Sequence, residues 1–122
     1  MRRAPVTVAL LAVLGVCGCG APPPQAPLPY AAKLDSATGS ISTTCGEAAQ
    51  VTAFPGDHRT DLLTLEATAG SAARKLASVY HRDPNWIYQG DTIRQIVHDS
   101  LSMLGSCGLH RARALLAHST GQ

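Results

Sequence analysis

The stretch Gly20 to Pro29, reading GAPPPQAPLP, holds five prolines in ten residues, and no other part of the chain restricts folding so strongly. Proline fixes φ and removes a backbone donor, so such a run cannot form a helix interior or a paired strand. It favours polyproline II, which at about 3.1 Å per residue spans roughly 30 Å. The run separates a short apolar N-terminal segment from the 93 residues Tyr30 to Gln122, and any core the chain builds lies in the second part. A single domain of that size sits near the lower limit at which a hydrophobic core suffices without staples.

From Tyr30 onward the hydrophobic period is helical. In the first segment, Tyr30 to Phe54, residues Leu34, Thr38, Ile41, Cys45, Ala48 and Thr52 alternate at spacings of four and three, one weakly apolar stripe of a helix. Pro55-Gly56-Asp57 is a stop, and Asp57 or Thr60 is the expected cap of the next helix. The second segment, from about His58 to Tyr80, carries Leu62, Leu65, Ala69, Ala72, Leu76 and Tyr80 on one face, with Ala73 and Val79 beside them. Its alanine-rich middle lets a neighbour approach closely.

Asp83-Pro84 reads as an N-cap followed by proline at the first helical position, opening a short turn with Trp86, Ile87 and Tyr88. Asp91 is then expected to cap a third helix with the stripe Ile93, Ile96, Val97, Leu101 and Leu104, ending near Cys107. Beyond Gly108, Leu109 to Ala117 forms a short extra helix, basic through Arg111 and Arg113 and apolar through Leu109, Leu115 and Leu116. The expected fold is all-α: a small antiparallel three-helix bundle over 30–122 with a short extra C-terminal helix. A helical hairpin with a loose tail, or an irregular wrapped domain, are the other arrangements this pattern allows.

The N-terminal segment reads as an address. Met1-Arg2-Arg3 is a basic start, Val6 to Val16 is apolar but shorter than the about 20 residues needed to span a bilayer, and Val16-Cys17-Gly18-Cys19 follows. This run resembles the lipobox of bacterial lipoproteins. The resemblance covers the signal alone and implies a signal peptide over 1–18, cleavage after Gly18, a diacylglyceryl thioether on Cys19, and a lipidated, proline-rich tether over 19–29. Cys17 is preceded by the bulky Val16 and Cys19 by the small Gly18, which assigns the lipid to Cys19. Cys17 itself stands where the pattern more often has Ala, Ser or Thr. The pair Arg2-Arg3 lacks the apolar residue that follows it in twin-arginine signals, so general secretion is the expected route. An ordinary signal peptide cut near Ala21, or an uncleaved anchor, is the plainer reading of the same residues.

Export with acylation at Cys19 leaves Cys45 and Cys107 as the only unmodified cysteines, which in an oxidising compartment implies one disulfide. The loop so closed is worth on the order of 4 kcal/mol in the chain-entropy picture. Two buried free thiols that never meet are the alternative. Ten Lys and Arg stand against eight Asp and Glu, but Arg2 and Arg3 leave with the signal, so the mature chain carries eight of each. That balance gives no basic surface for nucleic acid and no polybasic membrane patch.

The sequence carries no Gly-x-Ser-x-Gly elbow, no phosphate-binding glycine loop and no His-Glu-x-x-His, so neither an enzyme nor a cofactor-binding protein is expected. His58, His81, His98, His110 and His118 are scattered. His110 and His118 lie about 12 Å apart along an ideal helix, so no metal site is expected. Trp86, Ile87 and Tyr88 are the candidate partner patch, since Trp and Tyr anchor interfaces; equally, they close one end of a small core. The expectation is a lipid-anchored protein on the extracytoplasmic face of the cell membrane, acting as a binding or envelope-structural module with an envelope protein as partner. A small-ligand or metal carrier is the competing class. Richness in Ala, Gly and Arg points to a high-GC bacterial source, actinobacterial or phage-encoded, and a phage superinfection-exclusion lipoprotein is one specific form of the binding reading.

Overall fold

The computed structural model describes residues 28–122. The signal over 1–18, Cys19 and the tether up to residue 27 lie outside the described residues. The described residues form four helices, α1 Leu28–Thr52, α2 Arg59–Arg82, α3 Ile93–Ser106 and α4 His110–Thr120, with a two-stranded hairpin, β1 Ile87–Tyr88 and β2 Asp91–Thr92, between α2 and α3. The all-α expectation holds, and Cys45 and Cys107 form the disulfide, their Cα atoms 5.3 Å apart.

α1 starts two residues before its periodicity begins, inside the proline run. Pro29 is accommodated because the N–H groups of a first helical turn have no intrahelical partner to lose. Leu34, Ile41, Cys45 and Ala48 are buried as the stripe requires, joined by Ala37 and Thr44, while Thr38 is half-buried and Thr52 exposed. The hydroxyls of Thr38, Thr44 and Thr52 donate to the carbonyls of Leu34, Ser40 and Ala48 at 2.8–2.9 Å. Among the described residues no buried side-chain polar atom lacks a partner, so a threonine-rich stripe can face a core.

Three of the expected caps are corrected. Thr60 lies inside α2, whose entry is held by Asp57 Oδ1 accepting the Arg59 N–H at 3.0 Å. Asp83 closes α2 rather than opening a helix: its N–H donates to the Val79 carbonyl and its Oδ1 accepts the Asn85 N–H at 2.9 Å. Asp91 belongs to β2, and Thr92 caps α3 by accepting the Gln95 N–H at 3.1 Å. Asp57 and Asp83 each make a short-range bond at an expected position, and only the cap of α3 moves, by one residue, from Asp91 to Thr92. The turn carrying Trp86 to Tyr88 is the hairpin, with Ile87 opposite Thr92 and Tyr88 opposite Asp91. Gln89 and Gly90 both take positive φ, 51° and 90°, as the tightest hairpin turns require of their two central residues.

Pairs of contacts fix the helix directions. Lys33 reaches Ser78 and Lys75 reaches Ser36, so α1 and α2 run opposite ways. Glu66 meets Arg111 and Ala112, and His81 meets Ser119, so α4 runs along α2 in the same direction. Leu34, Ile41, Leu76, Val79, Ile93, Val97, Leu104, Leu109 and Leu116 are fully buried, and the small Ala69, Ala72, Ala73 and Ala77 let the neighbours of α2 approach. α4 is no loose tail: it extends to Thr120, beyond the expected Ala117, and buries Ala112, Leu116 and Thr120.

Candidate functional site

The three expected patch residues come together at the end of the domain where α1 begins. The Trp86 ring tilts against Tyr30, with centroids 5.4 Å apart, and the Arg82 guanidinium lies 4.8 Å from the Tyr30 ring centre, a cation–π distance. The Tyr88 hydroxyl donates to Asp35 Oδ1 at 2.6 Å. Burial first, then that hydrogen bond and the negative charge of Asp35, push the phenol up from 10.0 to about 12. Trp86, Ile87 and Tyr88 are all half-buried.

The same loop completes α3. The Trp86 carbonyl accepts the Ile93 N–H at 2.9 Å and the Pro84 carbonyl accepts the Arg94 N–H at 2.8 Å. With the Thr92 cap, three of the N–H groups that a helix start leaves free are satisfied from the preceding loop. The candidate patch therefore has a structural task, and its remaining exposed surface is what a partner could touch.

A second region was not foreseen from the sequence. α4 has Leu109 at its N-cap, with no side-chain cap of its own. Glu66 of α2 supplies one across the helix interface: Oε2 accepts the Arg111 N–H at 2.9 Å and Oε1 the Ala112 N–H at 3.0 Å. A carboxylate here also meets the positive end of the α4 dipole.

Beside this cap lies an open cavity of about 300 Å³. From α2 it is lined by Leu63, Glu66, Ala67, Gly70 and Arg74, and from α4 by Arg111, Ala112 and Leu115. Leu63 is exposed at 45%. Leu63, Ala67, Gly70 and Arg74 follow spacings of four, three and four, a stripe beside the core stripe, with Glu66 next to it. That spacing was the available signal, but alanine, glycine and a charged residue read as surface. Among the described residues the one ion pair is Arg59 with Asp57, so neither Arg74 nor Arg111 has a charge partner.

A smaller cavity of about 200 Å³, lined by Glu47, Val51, Asp61, Thr64 and Leu65, carries two carboxylates and no cation. Among the described residues no three His, Cys, Asp or Glu side chains converge as metal ligands do, and no helix is long and apolar enough to cross a membrane. Comparison with protein-family models, curated proteins and solved structures returns no match for this chain.

Proposed function

We propose that this chain is a lipoprotein of the extracytoplasmic face of the cell membrane, anchored through Cys19, whose helical domain is a binding or envelope-structural module. The observation that carries the reading is the Cys45–Cys107 disulfide standing behind a lipobox-like signal. A structural disulfide belongs to an oxidising compartment, which is where that signal would send the chain. A diacylglyceryl group supplies the two acyl chains that stable anchoring needs. The fold reads as an antiparallel bundle of α1, α2 and α3 with α4 laid along α2.

The tether would join the domain at the Tyr30 and Trp86 end, so the half-exposed surface of Trp86, Ile87 and Tyr88 would face an envelope partner close to the bilayer. Two experiments test these parts. Metabolic labelling with a fatty-acid analogue is expected to disappear in Cys19→Ser and persist in Cys17→Ser; the reverse pattern refutes the anchor. Trp86→Ala is expected to lose partner capture with only a modest fall in melting temperature from the lost contact with Tyr30, and a large drop instead assigns Trp86 to the core. A second reading, a carrier of a small ligand, is favoured by the cavity between α2 and α4.

A further inference from the structure

We propose that the cavity between α2 and α4 binds a small amphiphile with an oxyanion head, a carboxylate or a phosphate monoester, on a short apolar body. Its volume, about 300 Å³, lies at the lower end of ligand pockets. Leu63, Ala67, Gly70, Ala112 and Leu115 give it an apolar lining, and Arg74 and Arg111 give it two guanidinium groups.

The charge balance of the cavity selects the head group. Glu66 is the only acid in the lining, and both of its oxygens are engaged by backbone N–H groups of α4. Its charge is thereby met by the helix terminus. Arg74 and Arg111 are without ion-pair partners among the described residues. Their backbones are separated by about the eight residues from Glu66 to Arg74, roughly 12 Å along α2. Two side chains as long as arginine's can close on one group from that distance. A planar guanidinium matches carboxylate and phosphate oxygens in a bidentate fashion, which makes an oxyanion its natural partner.

Gly70 points the same way. It sits in the middle of α2, where glycine is the poorest helix former after proline, and it is buried. Yet a Cβ built on it would meet no atom within 4 Å, so no contact among the described residues requires glycine there. Gly39 and Gly46 are equally unobstructed, but both lie on exposed surface of α1. At Gly70 the missing side chain leaves the floor of the cavity open to an occupant.

The inference rests on the carrier reading and gives it a ligand class. It is tested on the full chain with its disulfide intact, carrying Cys19→Ser so that acylation plays no part, by following backbone amide shifts during titration with octanoate, octyl phosphate and octanol. Octanoate and octyl phosphate are expected to move Ala67, Gly70 and Ala112, with octanol at least tenfold weaker, the effect of one charge-assisted contact. Arg74→Gln and Arg111→Gln should each weaken the two anions about tenfold. Gly70→Leu should abolish binding while preserving the melting temperature. Octanol binding as tightly as octanoate, with no loss in the arginine variants, overturns the oxyanion head and leaves a carrier of neutral ligands. No movement of these amides with any of the three probes overturns the carrier reading as well.

Discussion

Replacing Glu66 by Ala removes the side chain that caps α4. The Arg111 and Ala112 N–H groups, now held at 2.9 and 3.0 Å, would turn to water or remain unsatisfied. A hydrogen bond to a charged group contributes about 1.5–3 kcal/mol, and two would give up to about 6 kcal/mol if buried. Glu66 is half-buried, so solvent screening and recovered hydration remove about half or more. The expected loss is about 2–3 kcal/mol, the upper part of the range for losing an N-cap. For a domain of this size each kcal/mol moves the midpoint by about 4–8 °C, which gives a fall of about 10–20 °C.

Glu66→Gln should fall by roughly half as much, since the amide keeps one accepting oxygen but turns an NH2 toward the second N–H. Calorimetry of the oxidised protein at neutral pH reads the midpoint, and hydrogen exchange reads the Arg111 and Ala112 amides directly. The exposed Glu47, which holds no such bond, supplies the control, with an expected change for Glu47→Ala within about 0.5 kcal/mol. If Glu66→Ala lowers the midpoint no more than this control and leaves both amides equally protected, α4 is held by packing alone and the cross-helix cap is energetically idle.

The remaining predictions concern the other end and the staple. Reducing Cys45–Cys107, which spans 62 residues, or replacing both cysteines by Ala, should cost about 4 kcal/mol, a large part of the about 5–15 kcal/mol that holds a small domain folded; urea midpoints that coincide for the oxidised and reduced protein would contradict it. Ultraviolet titration should find one tyrosine ionising near pH 12, absent in Tyr88→Phe and shifted toward 10 in Asp35→Asn. Because the folded value lies above the unfolded one, the stability this phenol contributes is complete below pH 10 and declines as pH rises toward 12; a Tyr88 titration in Asp35→Asn identical to the wild-type one would remove Asp35 as a cause.

The helices were legible because their signals are local. The stripe Ile93, Ile96, Val97, Leu101 and Leu104 is buried along its whole length, as is most of the stripe of α2, since a helix needs only its own period to declare which face seeks the core. The disulfide was legible in the count of cysteines left once Cys17 and Cys19 are assigned to the lipobox-like run. The caps were legible only to within a residue. Asp91 competes with the adjacent Thr92 for the cap of α3, and Thr92 wins because Asp91 is held in the hairpin. The hairpin around Gln89 and Gly90 escaped notice because strands of two residues leave no alternation to read.

What the sequence alone determined is the helical class of the chain from the end of the proline run onward and the two cysteines that join. What only the tertiary structure decided is who serves whom. Trp86 lends its carbonyl to α3 and its ring to Tyr30, and Glu66 caps a helix that begins 44 residues later, at His110. Arg74 and Arg111 come to share one cavity with Gly70. Backbone groups at helix ends and charges on helix flanks can be satisfied by any neighbour within reach, and a periodic pattern says which face is covered without saying what covers it. That choice is made when α2 receives α1 on one side and α4 on the other.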